Sequence, residues 1–529
     1  MITRKKALVL LPILYILSTL ALLYGLGYYY EFDYTVIYTG LLFLGCYILS
    51  STNRFTSICI LVTFSALSFY FPTGIIYGKP TADLLMPLLQ TNKLEIIGYL
   101  MAVKQQILTT VLFIFIQFLI YFLNRSIQTP KNKKNKGLQF FTIISFIFIY
   151  IITLFGISYQ NLIVNENAFL KDVISAYQEI NTLHEEMKKY IGSNNNNIHV
   201  SRLNEHDDTE IFLVVIGESV RRDYLSVYGY PLNTTPFLNT ANGIFIDGLV
   251  SAGPNTELSL TRTLFRTYPE KNKIDWEINF VSLAKKSGYE TYWVSNQGTS
   301  EYGDNIFSAL AGTTDKSKFL KKGPYYTSFG SDDLMLPIIA EMINKNSNKK
   351  VVFVHMMGSH EPLCAQIGEF KSSFQVHNQA GCYLASIEKL DLFIKRLTEL
   401  MKGKKYKLMY FSDHGLSVQP DRIFHDLGLL QEYQVPLFYL APDEKKHIQI
   451  KKAISGLNLI DFYSTFINIK TNVTNENYSF HYADKLPDNS NPIIYWKKYK
   501  RLSDIVKTQP PLTDNEINST TVNKNINNK

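Results

Sequence analysis

Cysteine and histidine are scarce in this chain of 529 residues, at four and ten. Four cysteines cannot staple a disulfide scaffold of this length, so apolar burial must carry the fold. Acidic residues are nearly missing from the first 160 positions. Only Glu31, Asp33, Asp83 and Glu95 stand there, against twelve basic residues. That local deficit accounts for the whole formal net charge of +8, because 53 − 12 and 45 − 4 both leave 41 charges of each sign beyond residue 160. The larger part of the chain is formally neutral, so nucleic acid is excluded as the partner despite a pI of about 8.9. Charged residues make up 19% and aromatics 14%, which excludes intrinsic disorder as the dominant state.

What fills the acid-poor region is apolar. Runs at 7–30, 34–51, 55–78, 105–123 and 137–160 are each close to the ~20 residues that one helix needs to cross a bilayer. Five spanning helices are expected, and no small-residue cleavage site follows the first run, which argues against a signal peptide. Arg4, Lys5, Lys6, Arg54, Arg125, Lys131, Lys133, Lys134 and Lys136 occupy alternate links that hold no acid. The positive-inside rule then places the N-terminus in the cytoplasm and everything after residue 160 on the outer face.

The domain reading is a transmembrane domain at 1–160 and a connector at 161–205, followed by an outer domain at 206–507. From 508 to 529 a disordered, Asn- and Thr-rich tail is expected. Within the connector, Phe169, Val173, Ile174, Tyr177, Ile180, Leu183 and Met187 have helical spacing, so an amphipathic helix is expected over 168–191. Cys364 and Cys382 fall in the exported part and are expected to pair, closing a loop worth about 3 kcal/mol in the chain-entropy model. The alternative is two buried thiols.

In the outer domain short apolar runs at 211–216, 291–294, 351–354, 407–411 and 436–440 alternate with helical stretches such as 331–344 and 382–402. This pattern predicts an α/β fold around a mostly parallel central sheet. Sites in such folds collect beyond the carboxyl ends of strands. Glu218 ends one predicted strand, and Asp413 with His414 ends another; carboxylate oxygens and an imidazole nitrogen suit a divalent metal such as zinc. His355, His360 and His425 also fall at or just past such ends.

Several of these segments resemble one family. Gly217-Glu218-Ser219-Val220-Arg221-Arg222-Asp223 with Tyr228-Gly229-Tyr230 and Asn233-Thr234-Thr235-Pro236 is similar to the opening motif of bacterial phosphoethanolamine transferases, in the alkaline phosphatase/sulfatase superfamily. Ser412-Asp413-His414-Gly415 resembles their second metal motif and Met357-Gly358-Ser359-His360 their internal histidine motif. The resemblance extends over nearly the whole chain. It implies a five-helix transmembrane domain followed by a sulfatase-like domain, with Thr256 as nucleophile and with Glu218, Thr256, Asp413 and His414 around one Zn²⁺; a second metal or Mn²⁺ is left open. Ser259 and Thr261 are the nearby rivals for the nucleophile. The resemblance further implies that His360, His425 and His355 stabilise charge or move protons, that Asn296 and Gln297 line the donor pocket, and that Asn92 belongs to a lipid-facing loop.

The implied reaction takes phosphoethanolamine from phosphatidylethanolamine to lipopolysaccharide or lipooligosaccharide, at a core sugar in preference to lipid A, at the bacterial inner membrane with a periplasmic catalytic domain. A monomer is expected. One departure from the family pattern is Leu416, where many members carry Glu. A glycerol-phosphate transferase using phosphatidylglycerol and a non-catalytic membrane sensor are the alternatives. A sulfatase is disfavoured, because no Cys or Ser stands in the Cys/Ser-x-Pro-x-Arg context that formylglycine formation needs.

Overall fold

The computed structural model describes residues 4–29, 33–90, 99–100, 103–128, 167–193, 197–298, 306–321, 330–344, 349–425, 428–486, 491–496 and 498–518. The chain divides into two compact units, Met1–Thr91 with Tyr99–Thr182, and Asn92–Gly98 with Leu183–Lys529.

Among the described residues of the first unit three helices are long and apolar enough to cross a membrane: Lys6–Gly25, Arg54–Tyr77 and Lys104–Ile127. A fourth, Tyr34–Ser50, is apolar but shorter, at 17 residues. The fifth expected span, 137–160, lies outside the described residues, and so does Asn92. Leu8, Val9, Leu108 and Phe115 face outward while polar side chains meet inside. Tyr15 donates to Asn124, Asn124 Nδ2 donates to Ser50 Oγ at 2.7 Å, and Tyr47 donates to Gln117 Oε1 at 2.9 Å. Interhelical hydrogen bonds of this kind hold apolar helices together where lipid offers no hydrophobic drive. The connector helix forms over Ala168–Tyr190.

The second unit is built on eight strands: β1 (Ile211–Gly217), β2 (Gly243–Val250), β3 (Glu290–Ser295), β4 (Lys316–Phe319), β5 (Lys350–His355), β6 (Tyr406–Ser412), β7 (Leu437–Leu440) and β8 (His447–Ser455). Their order across the sheet is β8-β2-β7-β6-β1-β5-β3-β4. β7 alone is antiparallel, to both β2 and β6, and the other seven strands run together.

Burial on both faces explains why the sheet strands read as continuous apolar runs. Phe212, Val214 and Ile216 join one core, and Leu213 and Val215 join the other. Helices Phe280–Lys286 and Leu459–Phe466 cover the first face, and Leu336–Asn344 and Gln379–Leu400 cover the second. Cys364 and Cys382 are bonded, tying the short helix Leu363–Ile367 to the first turn of Gln379–Leu400.

The C-terminal segment departs from expectation. Residues 508–518 are placed against the second unit, with a helix at Asp514–Asn518 and Ile517 buried in a core cluster. Composition alone missed this because two apolar side chains, Leu512 and Ile517, dock a segment that is otherwise polar. Residues 519–529 lie outside the described residues.

Candidate active site

β1 and β6 are neighbours, with Gly217 opposite Ser412, so the residues that follow them leave the sheet side by side. Glu218 follows β1, Asp413 and His414 follow β6, and all three are at most 1% exposed. Their ligand atoms lie within 4.8 Å of one another. Thr256 opens the helix Thr256–Thr263, whose first turn is capped by Asn255 Oδ1 accepting from Leu258 N at 2.9 Å. This places Thr256 Oγ1 at 3.2 Å from Glu218 Oε2 and 3.1 Å from His414 Nε2. The two rivals point elsewhere. Ser259 Oγ donates to the Asp413 carbonyl, and Thr261 Oγ1 is buried without a hydrogen-bond partner.

Each acidic group is held from behind. Ser219 N and His414 N donate to Asp413 Oδ1 at 2.9 and 2.7 Å, which leaves Oδ2 buried and without a hydrogen-bond partner. Ser219 Oγ and Gln297 Nε2 donate to the two oxygens of Glu218. His414 Nδ1 lies 2.8 Å from the Gly415 carbonyl. An N–H donated there leaves the Nε2 lone pair facing both carboxylates, the tautomer of a metal ligand.

The same carboxylates act on the ring's own proton. Burial pushes Asp413 up, with the Glu218 charge adding to it, to about 7. Burial works against a charged His414, but Asp413 and Glu218 outweigh it and hold the ring at about 9. Burial also raises Glu218, yet its hydrogen bond and charge pairing with His414 leave it well below the usual carboxylate range. Two buried carboxylates around one imidazole nitrogen thus hold a positive charge at that nitrogen, whether a proton or a metal ion. With an orphaned Asp413 oxygen and the Thr256 hydroxyl at its edge, this donor set fits a zinc-sized divalent ion.

The remaining predicted residues divide. His425 is half-buried, its ring 4.8 Å from that of His414 and its Nδ1 3.3 Å from the Pro254 carbonyl. Burial, then the charges of His414 and His360, push it down to about 3. His360 Nδ1 lies 2.7 Å from the Glu361 carbonyl, and its charge reaches Glu218 and His425. His355 is not part of the cluster. It ends β5 with its ring against Trp293 and Phe307, its Nε2 unpartnered, and burial lowers it to about 4.

Asn296 turns inward: its side chain is fully buried and donates to Gly330 O and Asp332 Oδ1. Gln297 touches Glu218 directly. Leu416 is a core residue, 2% exposed.

Sequence reading missed Asp332. Its buried carboxylate accepts from Met357 N at 2.8 Å, Gly358 N at 3.0 Å and Asn296 Nδ2 at 2.8 Å. The loop thus anchored bears on Glu218, because Ser359 N donates to the Glu218 carbonyl at 2.9 Å. Nothing in the local sequence Ser331-Asp332-Asp333 separates this role from an ordinary helix-start acid.

Comparison with known proteins matches the sulfatase family over residues 210–469. Phosphoethanolamine transferase OpgE of Escherichia coli is 28% identical over 504 residues, covering 91% of this chain and 92% of OpgE. A putative phosphoethanolamine transferase of Haemophilus influenzae is 32% identical over 373 residues, covering 67% of this chain and 72% of that protein. The C-terminal periplasmic domain of EptC from Escherichia coli, solved in complex with zinc, shares the fold at a TM-score of 0.51 and 20% identity, over 59% of this chain and 98% of that domain.

Proposed function

The chain belongs to the phosphoethanolamine transferase family, within the sulfatase group of α/β enzymes, and from that premise we propose that it moves phosphoethanolamine from phosphatidylethanolamine to a cell-envelope glycolipid, at a lipopolysaccharide core sugar or lipid A. The observation that carries this reading is Thr256 Oγ1 within 3.2 Å of both Glu218 and His414, at the start of a helix.

Thr256 Oγ, its proton released to solvent, attacks the phosphorus of the donor head group. The bond from phosphorus to the diacylglycerol oxygen breaks, and the leaving alkoxide takes up a proton, for which His360 is the proposed donor. Phosphoethanolamine remains on Thr256, where the helix N-terminus favours the added negative charge. An acceptor hydroxyl then attacks the same phosphorus and returns Thr256 to its free form. His425, kept neutral at pH 7 by burial, is suited to accept the proton of that hydroxyl. Glu218, Asp413 and His414, with Thr256, would hold zinc, which would supply Lewis-acid chemistry that lowers the pKa of the threonine hydroxyl and offsets charge at phosphorus.

The proposed setting is the inner membrane, with a cytoplasmic N-terminus and a periplasmic catalytic unit, a reading supported by the nine acid-free basic positions. The test uses the full-length protein in detergent with phosphatidylethanolamine labelled in the head group. Diacylglycerol release and a labelled protein are expected for the native chain, and neither for a folded Thr256→Ala variant. Label arriving only from phosphatidylglycerol would overturn the donor assignment, and full activity in Thr256→Ala would overturn the nucleophile.

A further inference from the structure

Arg221 stands three residues beyond Glu218 and is fully buried. A guanidinium has five N–H donors, and here all five are placed. Nε and Nη2 reach the two oxygens of Asp223. Nη1 donates to the Leu416 carbonyl at 3.3 Å, two residues past His414. The last two go to a single residue near the C-terminus: Nη1 to Gln509 Oε1 at 2.8 Å and Nη2 to the Gln509 carbonyl at 2.7 Å.

The same Gln509 Oε1 also accepts from Val418 N at 3.0 Å and Ser417 Oγ at 3.4 Å, while Gln509 N donates to Gln431 Oε1 at 2.8 Å. One amide oxygen therefore joins the loop after Glu218 to the loop after His414. Tolerance between these loops is small. A Cβ on Gly415 would stand 2.6 Å from Arg221 Cγ, so backbone and guanidinium stem are already in contact. Farther along, Leu512 N donates to Tyr224 Oη at 2.9 Å, Tyr230 Oη donates to the Leu512 carbonyl at 2.8 Å, and Asn378 Nδ2 donates to the Ile517 carbonyl at 2.6 Å. The segment is fastened on both sides of the opening motif.

We propose that Gln509 is a positioning residue for the metal site: the C-terminal segment clasps the two ligand-bearing loops and sets the spacing of Glu218 against Asp413 and His414. Gln509 touches none of these ligands and acts through Arg221 and residues 416–418. The inference rests on the reading that Glu218, Asp413 and His414 hold zinc. A cage whose ligands come from two strand ends loses affinity when their spacing is free to drift.

The test measures zinc release from the full-length, zinc-loaded protein to a chromogenic chelator, with the thermal midpoint recorded alongside. Gln509→Leu removes the shared acceptor and is expected to release zinc on the order of tenfold faster, the scale of one lost buried hydrogen bond to a charged group. Gln509→Glu keeps an oxygen facing Arg221, Ser417 and Val418 and is expected to retain zinc like the native chain. If Gln509→Leu does not accumulate, Gln509→Asn, which withdraws the oxygen by one methylene, is expected to release zinc at an intermediate rate.

Glu218→Gln serves as the control for the site itself and is expected to abolish tight binding. Native zinc retention in Gln509→Leu or Gln509→Asn, with loss in Glu218→Gln, would overturn the clasp and leave the metal site standing. Release from Gln509→Glu as fast as from Gln509→Leu would also overturn it. Unchanged retention in Glu218→Gln would remove the metal reading and the clasp together.

Discussion

Replacing Asp332 by Ala should loosen the wall of the site without touching any metal ligand. Asp332 accepts three hydrogen bonds, from Met357 N, Gly358 N and Asn296 Nδ2, all between 2.8 and 3.0 Å. Truncation leaves three donors without an acceptor, Met357 N and Asn296 Nδ2 buried and Gly358 N half-buried, each worth ~1–3 kcal/mol, and neighbours of this kind are not additive. A local cost of about 3–5 kcal/mol follows. It falls on the loop 356–360, which donates Ser359 N to the Glu218 carbonyl and is bridged to the Glu218 carboxylate by Gln297 through Met356 O. Asp332→Asn should cost less, about 1–3 kcal/mol, because one amide oxygen still accepts while the new NH₂ meets a donor. Hydrogen exchange read by mass spectrometry on peptides spanning 356–360 measures the opening free energy directly. A rise of a hundredfold or more in exchange is expected for Asp332→Ala, with faster zinc release. Native exchange in those peptides would refute the claim that this carboxylate anchors the loop.

Two further changes test the geometry elsewhere. Gly358 has φ +51°, and a Cβ there would lie 2.8 Å from the Glu218 carbonyl oxygen, whereas Gly229 has φ +101° and open space around it. Gly358→Ala should therefore lower both the thermal midpoint and zinc retention, while Gly229→Ala lowers only the former, by about 1–2 kcal/mol of backbone strain; equal zinc retention in both variants would count against close packing on Glu218. Asp391 is buried and accepts from Phe237 N and Leu238 N, and burial raises it from 3.8 to about 6. A folded pKa above the unfolded one means stability that is fully present below about 4 and lost as pH rises through 6, on the order of 3 kcal/mol. Denaturation of Asp391→Asn should lack that loss, and an unchanged pH profile would show that Asp391 ionises without cost.

The cluster of Glu218, Asp413 and His414 was legible because its residues sit where strands end. Hydrophobic runs located β1, β3, β5, β6 and β7, and polar corners after β1 and β6 supplied Glu218, Asp413 and His414. Thr256 was reachable only through resemblance, since a lone Thr before a helix is usually a cap. The strands β2, β4 and β8 were not read. β4 and β8 carry many exposed or half-exposed residues, and β2 is interrupted by Gly248, so none shows a clean apolar run. His355 and Asn296 show what a strand end leaves open: sequence places a residue there without saying which way its side chain turns. His355 turns to Trp293 and Phe307, and Asn296 turns to Asp332.

The amino-acid order by itself determined the class of chain: an acid-poor, apolar first part with helices long and apolar enough to cross a membrane, and a neutral α/β part with carboxylates and histidine at strand ends. Those properties are local, set by runs of hydrophobicity and by the residue that follows each run. Only the tertiary structure decided which groups act together. Asp332 comes from a helix start, Gln297 from the end of β3 and Gln509 from the C-terminal segment, and each reaches the site across tens or hundreds of residues. Such partners leave no periodic trace in the chain, because burial of a charge is satisfied by whichever polar group the packed fold brings within 3 Å.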